Sequence, residues 1–175
     1  MNNLTLIGQA LSFIGASFTL SSIFSKHKKN MILLIMITNL FCALSCLCLG
    51  GYSGIVAHLL MATRHALEIK GKLTKNITIF ICVAMTILGL AFNKNSWIGI
   101  FPITASISFA ILAYLIKSVK YMRIALMLKA AQWAIFDFYI KAYPMFVMNI
   151  IIFLTAAFEY IRNKNKEIIN EAFTE

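Results

Sequence analysis

The chain has 175 residues, of which 61% are hydrophobic and only 13% charged, with a mean hydropathy of +0.84. An average soluble domain carries roughly 25% charged residues, so a soluble globule is excluded. The formal net charge of +10 would point to nucleic acid in a soluble chain, but here the cations are spread over short gaps between apolar stretches, which points to anionic lipid instead.

Seven apolar stretches follow one another at 4–24, 31–49, 52–69, 77–92, 97–116, 122–140 and 145–161. Each is near the ~17–25 residues that a spanning helix needs, so the reading is an all-α membrane protein with seven transmembrane helices. No basic residue precedes the first stretch and no small-x-small cleavage pattern follows it before Lys26, so it is expected to remain in the mature protein.

The gaps alternate in charge. Lys26, Lys28 and Lys29 lie between stretches one and two, Lys70, Lys72 and Lys75 between three and four, and Lys117, Lys120 and Arg123 between five and six. Arg162, Lys164 and Lys166 follow stretch seven, whereas the opposite side holds only Lys94 and Lys141. Cytoplasmic loops retain Lys and Arg, so the C-terminus is expected in the cytoplasm and the N-terminus outside a bacterial inner membrane.

Shifting the sequence against itself by 91 positions aligns Ile7, Gly8, Ser17, Phe18, Lys26, Lys29, Met31, Met36, Ala43, Tyr52 and Glu68 with Ile98, Gly99, Ser108, Phe109, Lys117, Lys120, Met122, Met127, Ala134, Tyr143 and Glu159. No gap is needed, and the identities include charged and aromatic residues at stretch edges, which apolar composition does not place. The expected organisation is a first three-helix repeat at 1–70, a linker helix at 71–94, a second repeat at 95–162 and a cytoplasmic tail at 163–175. An inverting fourth helix gives a 3+1+3 arrangement of two parallel triple-helix bundles, a layout of transporters.

The layout resembles the SWEET and PQ-loop transporter superfamily, whose members move sugars or amino acids between two triple-helix bundles. Gly51 and Tyr52 followed by Arg64, together with Trp133, Ala134, Ile135, Phe136, Asp137 and Phe138, resemble the YgjV-like bacterial inner-membrane family over nearly the whole chain. That family implies no established substrate. The Pro-Gln pair of PQ-loop first helices is replaced here by Pro102 and Ile103 in stretch five, and by Leu11 and Ser12 in stretch one. A proline permits a kink, so any hinging is expected in the second repeat only.

Ionisable residues at membrane depth cost on the order of 2.5–3.5 kcal/mol and are functional candidates. Arg64 and Lys129 fall at matching depth at ~1.5 Å per residue. They either pair with carboxylates, Glu68 for Arg64 and Glu159 for Lys129, or converge on a cavity that attracts an anionic group. Lys129, Trp133 and Asp137 recur every four residues and share one face, with Gln132 beside it. His58 and Asn149 correspond under the 91-residue shift. In SWEET-like proteins two asparagines at such positions line the substrate site, so the resemblance implies a site from His58 and Asn149 in which one partner has changed.

Cys42, Cys46, Cys48 and Cys82 all lie within the apolar stretches, where a thiol acts as a small apolar group. No metal set, cofactor motif or catalytic constellation is read, so the chain is not expected to be an enzyme. The expected function is a small-solute carrier, for a sugar-like or small anionic metabolite, with a site from His58, Arg64, Lys129, Trp133, Asp137 and Asn149. The alternative is an accessory or binding protein whose polar interior is structural. The partners expected are the lipid bilayer, a solute and a second copy of the chain.

Overall fold

The structure, a computed structural model, describes residues 3–116 and 119–172, with the side chains of 119–121 and 163–172 outside that description. The loop cations Lys117, Lys120, Lys164 and Lys166 therefore lie outside the described residues or side chains. The described chain is all helical: α1 (Asn3–Ile23), α2 (Lys28–Leu49), α3 (Tyr52–Ile69), α4 (Lys75–Ala91), a 3-10 turn at Ser96–Gly99, α5 (Ile100–Leu115), α6 (Val119–Tyr139) and α7 (Tyr143–Ala172). Each sequence stretch is matched by one helix. The seventh runs further than expected, taking in backbone assigned above to the 163–175 tail.

Among the described residues four segments are long and apolar enough to cross a membrane: Asn3–Ile23, Lys28–Leu49, Ser96–Leu115 and Tyr143–Arg162. Helix α4 is apolar but has only 17 residues. Helices α3 and α6 have the length, at 18 and 21 residues, but carry Arg64 and Glu68, and Arg123, Lys129 and Asp137 respectively.

The solvent logic is inverted relative to a water-soluble protein. Phe80, Ile87, Leu115, Leu154 and Phe158 are exposed, while Ser12, Asn39, Ser53, His58, Arg64 and Asp137 are buried. Hydrocarbon outside and polar groups inside is the distribution a bilayer imposes, since no lipid group can satisfy a donor or acceptor. Small residues let the helices approach. Helix α1 buries Gly8, Ser12, Gly15, Ala16, Thr19 and Ser22, and Ser45 Oγ donates to Gly8 O at 2.7 Å while Thr38 Oγ1 donates to Gly15 O at 2.9 Å. Hydroxyl-to-carbonyl bonds of this kind tie helices where water is absent.

The principal helix pairs are α1 with α2, α2 with α3, α3 with α5, α5 with α6, α6 with α7 and α7 with α1, which closes a ring of six. Helix α4 packs outside it, against α3 and α5. Within each expected trio the second helix is central, so α1 with α3 and α5 with α7 are not among the principal pairs. Short links of two to four residues explain this: Gly50 and Gly51 alone join α2 to α3, too short for any path but to the adjacent helix. Pro102 stands in the first turn of α5, where its missing N–H would have had no helical partner anyway, so it requires no kink there.

Candidate functional site

The site lies inside the ring, where α1, α2, α3, α6 and α7 face one another. Its centre is a stacked pair from α3 and α6: the rings of His58 and Trp133 are 4.3 Å apart and 20° from parallel. Phe136 meets the indole edge-on at 5.8 Å. The pair divides the interior into two small chambers.

The first chamber is walled by Thr19, Thr38, His58, Lys129, Trp133 and Asn149 with apolar neighbours, and about 20 Å³ of it is open to the centre of a water molecule. The second is walled by Ser12, Cys42, Ser45, Cys46, His58, Trp133 and Asp137, with about 10 Å³ open in the same sense. A cavity needs roughly 10–15 Å³ on that measure to hold one water. The first chamber therefore has room for a water or a monatomic ion, the second is at the lower limit for a water, and neither has room for a sugar. On α6 the first chamber meets Lys129 and the second Asp137, two turns apart with Trp133 midway. Helices α1 and α2 agree in direction: Thr19 and Thr38 border the first chamber, Ser12 and Cys46 the second.

Hydrogen bonds fix the orientation of the central groups. Asn39 Nδ2 donates to Ile35 O at 2.8 Å, which turns its Oδ1 towards His58 Nδ1 at 2.9 Å. An acceptor there requires an N–H on Nδ1, so the neutral ring presents Nε2 as a lone pair. Asn149 Nδ2 donates to Asp137 Oδ2 at 2.7 Å, leaving its Oδ1 as an acceptor beside the first chamber. Thr19 Oγ1 donates to Thr38 Oγ1 at 2.8 Å. Lys129 is 8% exposed and has neither a carboxylate nor a hydrogen-bond acceptor among the described residues; its Nζ lies 5.1 Å from the centre of the Phe109 ring. The indole Nε1 of Trp133 is buried and also unpartnered among the described residues.

Four of the expected site residues thus border the first chamber: His58, Lys129, Trp133 and Asn149. Asp137 borders the second. Arg64 borders neither, being fully buried against α5. Its Nη1 donates to Glu68 Oε2 at 2.9 Å and its Nη2 to Ala110 O at 3.2 Å. Lys129 does not reach Glu159, whose Oε2 is held by Arg123 at 3.5 Å and Arg162 at 2.8 Å. Gln132 turns aside to α5, where Thr104 Oγ1 donates to its Oε1 at 2.8 Å. Among the described residues no three His, Cys, Asp or Glu side chains form a metal-binding group.

The two carboxylates close one end of the ring in parallel ways. Lys28 of α2 lies 3.2 Å from Glu68 and donates to Ile116 O, just past α5. Arg123 of α6 pairs with Glu159 and donates to Ile23 O, at the end of α1. Each lock thus ties a second helix to its own third helix and to the first helix of the other trio.

Sequence reasoning missed Asn39 and the α2 face of Thr38, Cys42 and Cys46. A signal existed, since under the 91-residue shift these last three correspond to Lys129, Trp133 and Asp137. The chain belongs to the YgjV family of bacterial inner membrane proteins, whose sequence description matches residues 6–167. No curated protein and no solved structure matches it.

Proposed function

We propose that this inner membrane protein is a seven-span carrier for a small polar solute, built from two three-helix units and working by alternating access across the His58–Trp133 pair. The observation that carries the reading is the divided interior: one aromatic pair separates two small chambers that lie towards opposite ends of the helices, one bordered by a cation and the other by a carboxylate.

The duplication is supported by packing and by turns. Exchanging α1, α2 and α3 with α5, α6 and α7 leaves the set of principal ring contacts unchanged. The turn bonds repeat as well: Gly51 N donates to Cys46 O at 2.9 Å and Ala142 N to Asp137 O at 2.8 Å, 91 positions on. In this reading α4 is the linker that restores direction, and α3, α4 and α6 also cross the bilayer, with Arg64, Lys129 and Asp137 buried. The Lys-rich end is cytoplasmic. The Glu68 and Glu159 locks hold that end closed, and movement of one unit against the other exposes the chambers in turn.

The test is uptake of a panel of small sugars, amino acids and organic anions into proteoliposomes, with the Trp133→Ala and Asp137→Asn proteins beside the wild type. A carrier loses most flux in both variants while they stay folded. A second reading, an accessory protein with a structural interior, is favoured by the ion pair of the fully buried Arg64 with the partly buried Glu68. It predicts no uptake of any solute and loss of stability in the same variants.

A further inference from the structure

Two donors on the wall of the first chamber lack partners among the described residues. Lys129 is buried on its wall with no carboxylate and no hydrogen-bond acceptor among the described residues. Trp133, on the same wall, has a buried indole N–H that is likewise unpartnered among the described residues. A buried ammonium without a counter-charge is expensive, and a buried N–H without an acceptor adds to the cost. The missing element is therefore a negative charge that accepts hydrogen bonds. The space available, about 20 Å³ for the centre of a water-sized occupant, excludes a lipid headgroup or a phosphate ester and admits a monatomic or similarly small anion.

His58 adds a condition. With Nδ1–H committed to Asn39, the neutral ring turns a lone pair on Nε2 to its surroundings, and a lone pair repels an anion. Protonation at Nε2 converts that group into a third donor without disturbing the Asn39 bond. The other groups around the ring are Lys129 and Asp137 from α6, Cys42 and Cys46 from α2 and uncharged Asn149 from α7. Helix α1 contributes Ser12 and Thr19, neither of which titrates near neutrality.

We propose that the first chamber binds a small monovalent anion, held by the Lys129 ammonium and the Trp133 indole N–H, and that the anion enters together with a proton from solution taken up on His58 Nε2. Occupancy needs the chamber and not movement of the helices, so equilibrium binding tests it apart from transport. Trp133 is itself the reporter, because the only other tryptophan, Trp97, is 65% exposed and replaceable.

In the purified Trp97→Phe protein, bromide replaces gluconate at constant ionic strength while indole emission is followed. Saturable quenching is expected, with the half-saturating concentration falling by about tenfold or more between pH ~7 and pH ~5. Lys129→Met removes saturation, Lys129→Arg keeps it, and His58→Gln abolishes the pH dependence. Quenching that stays linear in bromide and equal in the Met variant overturns the site. If the Met variant does not fold, loss of saturation in a folded Lys129→Arg protein overturns it equally. Saturable binding without pH dependence overturns the proton. Anion binding in a protein that carries no solute would refute the carrier and leave the site standing.

Discussion

Lys141 adopts the same left-handed backbone as Gly50, at φ 60° against 76°, and the two stand 91 positions apart in equivalent turns that end α2 and α6. Glycine meets that geometry without strain. A lysine pays about 1–2 kcal/mol for the crowding of its Cβ. Lys141→Gly is therefore expected to raise stability by about 1 kcal/mol, measured as a shift in the unfolding midpoint in mixed micelles. A neutral or destabilising result would mean that the Lys141 side chain makes compensating contacts.

The helices were legible because spans, loop charges and turn glycines are local signals, and the α6 face was legible because Lys129, Trp133 and Asp137 recur at helical spacing. The fate of Arg64 was not. Its spacing from Glu68 allowed the pair, but what decides against the cavity is the Ala110 carbonyl on α5, a contact across 46 positions with no trace in either segment alone. Asn39 was hidden for a similar reason, since its role depends on meeting His58 from a neighbouring helix. The ring order was hidden too, because it follows from turn length acting together with six packed faces.

Gly54 is a packing constraint at the second chamber. A Cβ built there would stand 2.9 Å from Cys46 Sγ, with the Cys46 Cβ at 3.7 Å. Gly54→Ala should cost about 1–3 kcal/mol by overpacking. In a Cys46→Ala background the sulfur is gone and the remaining contact is ordinary, so most of the cost should vanish. A double-mutant cycle on unfolding free energy reads this directly, and additive effects would count against the α2–α3 approach described above.

The carboxylate locks should differ in depth. Glu159 is 2% exposed, and Arg123, at 7%, depends on it. Glu159→Gln leaves a buried guanidinium without its counter-charge and should cost about 3 kcal/mol or more. Pairing it with Arg123→Met should recover most of that, because both charges are then absent. Flux in the carrier reading should respond differently: weakening a lock at one end favours opening there, so uptake should change before the protein unfolds. Equal losses of stability in the single and double variants would mean that the cost does not come from leaving Arg123 unpaired.

Orientation is testable without a substrate. Reporter fusions after Lys28, Lys72 and Lys166 are expected to read cytoplasmic, and fusions after Gly51 and Lys94 external. The expectation rests on Lys and Arg crowding alternate gaps, the charge bias that sets membrane orientation. An external reading after Lys166 would remove the seven-span arrangement. An external reading after Lys28 would invert the first helix and with it the assignment of the locks to the cytoplasmic end.

Asn39 should matter to the site more than its distance from both chambers implies. It is fully buried, it borders neither chamber, and its contribution to the site is to hold the His58 proton on Nδ1. Asn39→Ala strands that N–H and should cost about 1–3 kcal/mol of stability. It also frees the ring to move its proton to Nε2, so a neutral His58 would then carry a donor instead of a lone pair on the nitrogen that Asn39 does not hold. Bromide binding by the Trp97→Phe, Asn39→Ala protein should consequently lose much of its dependence on pH while keeping its dependence on Lys129. If the pH dependence survives unchanged, Asn39 is a packing residue and the tautomer of His58 is set by something else in the ring.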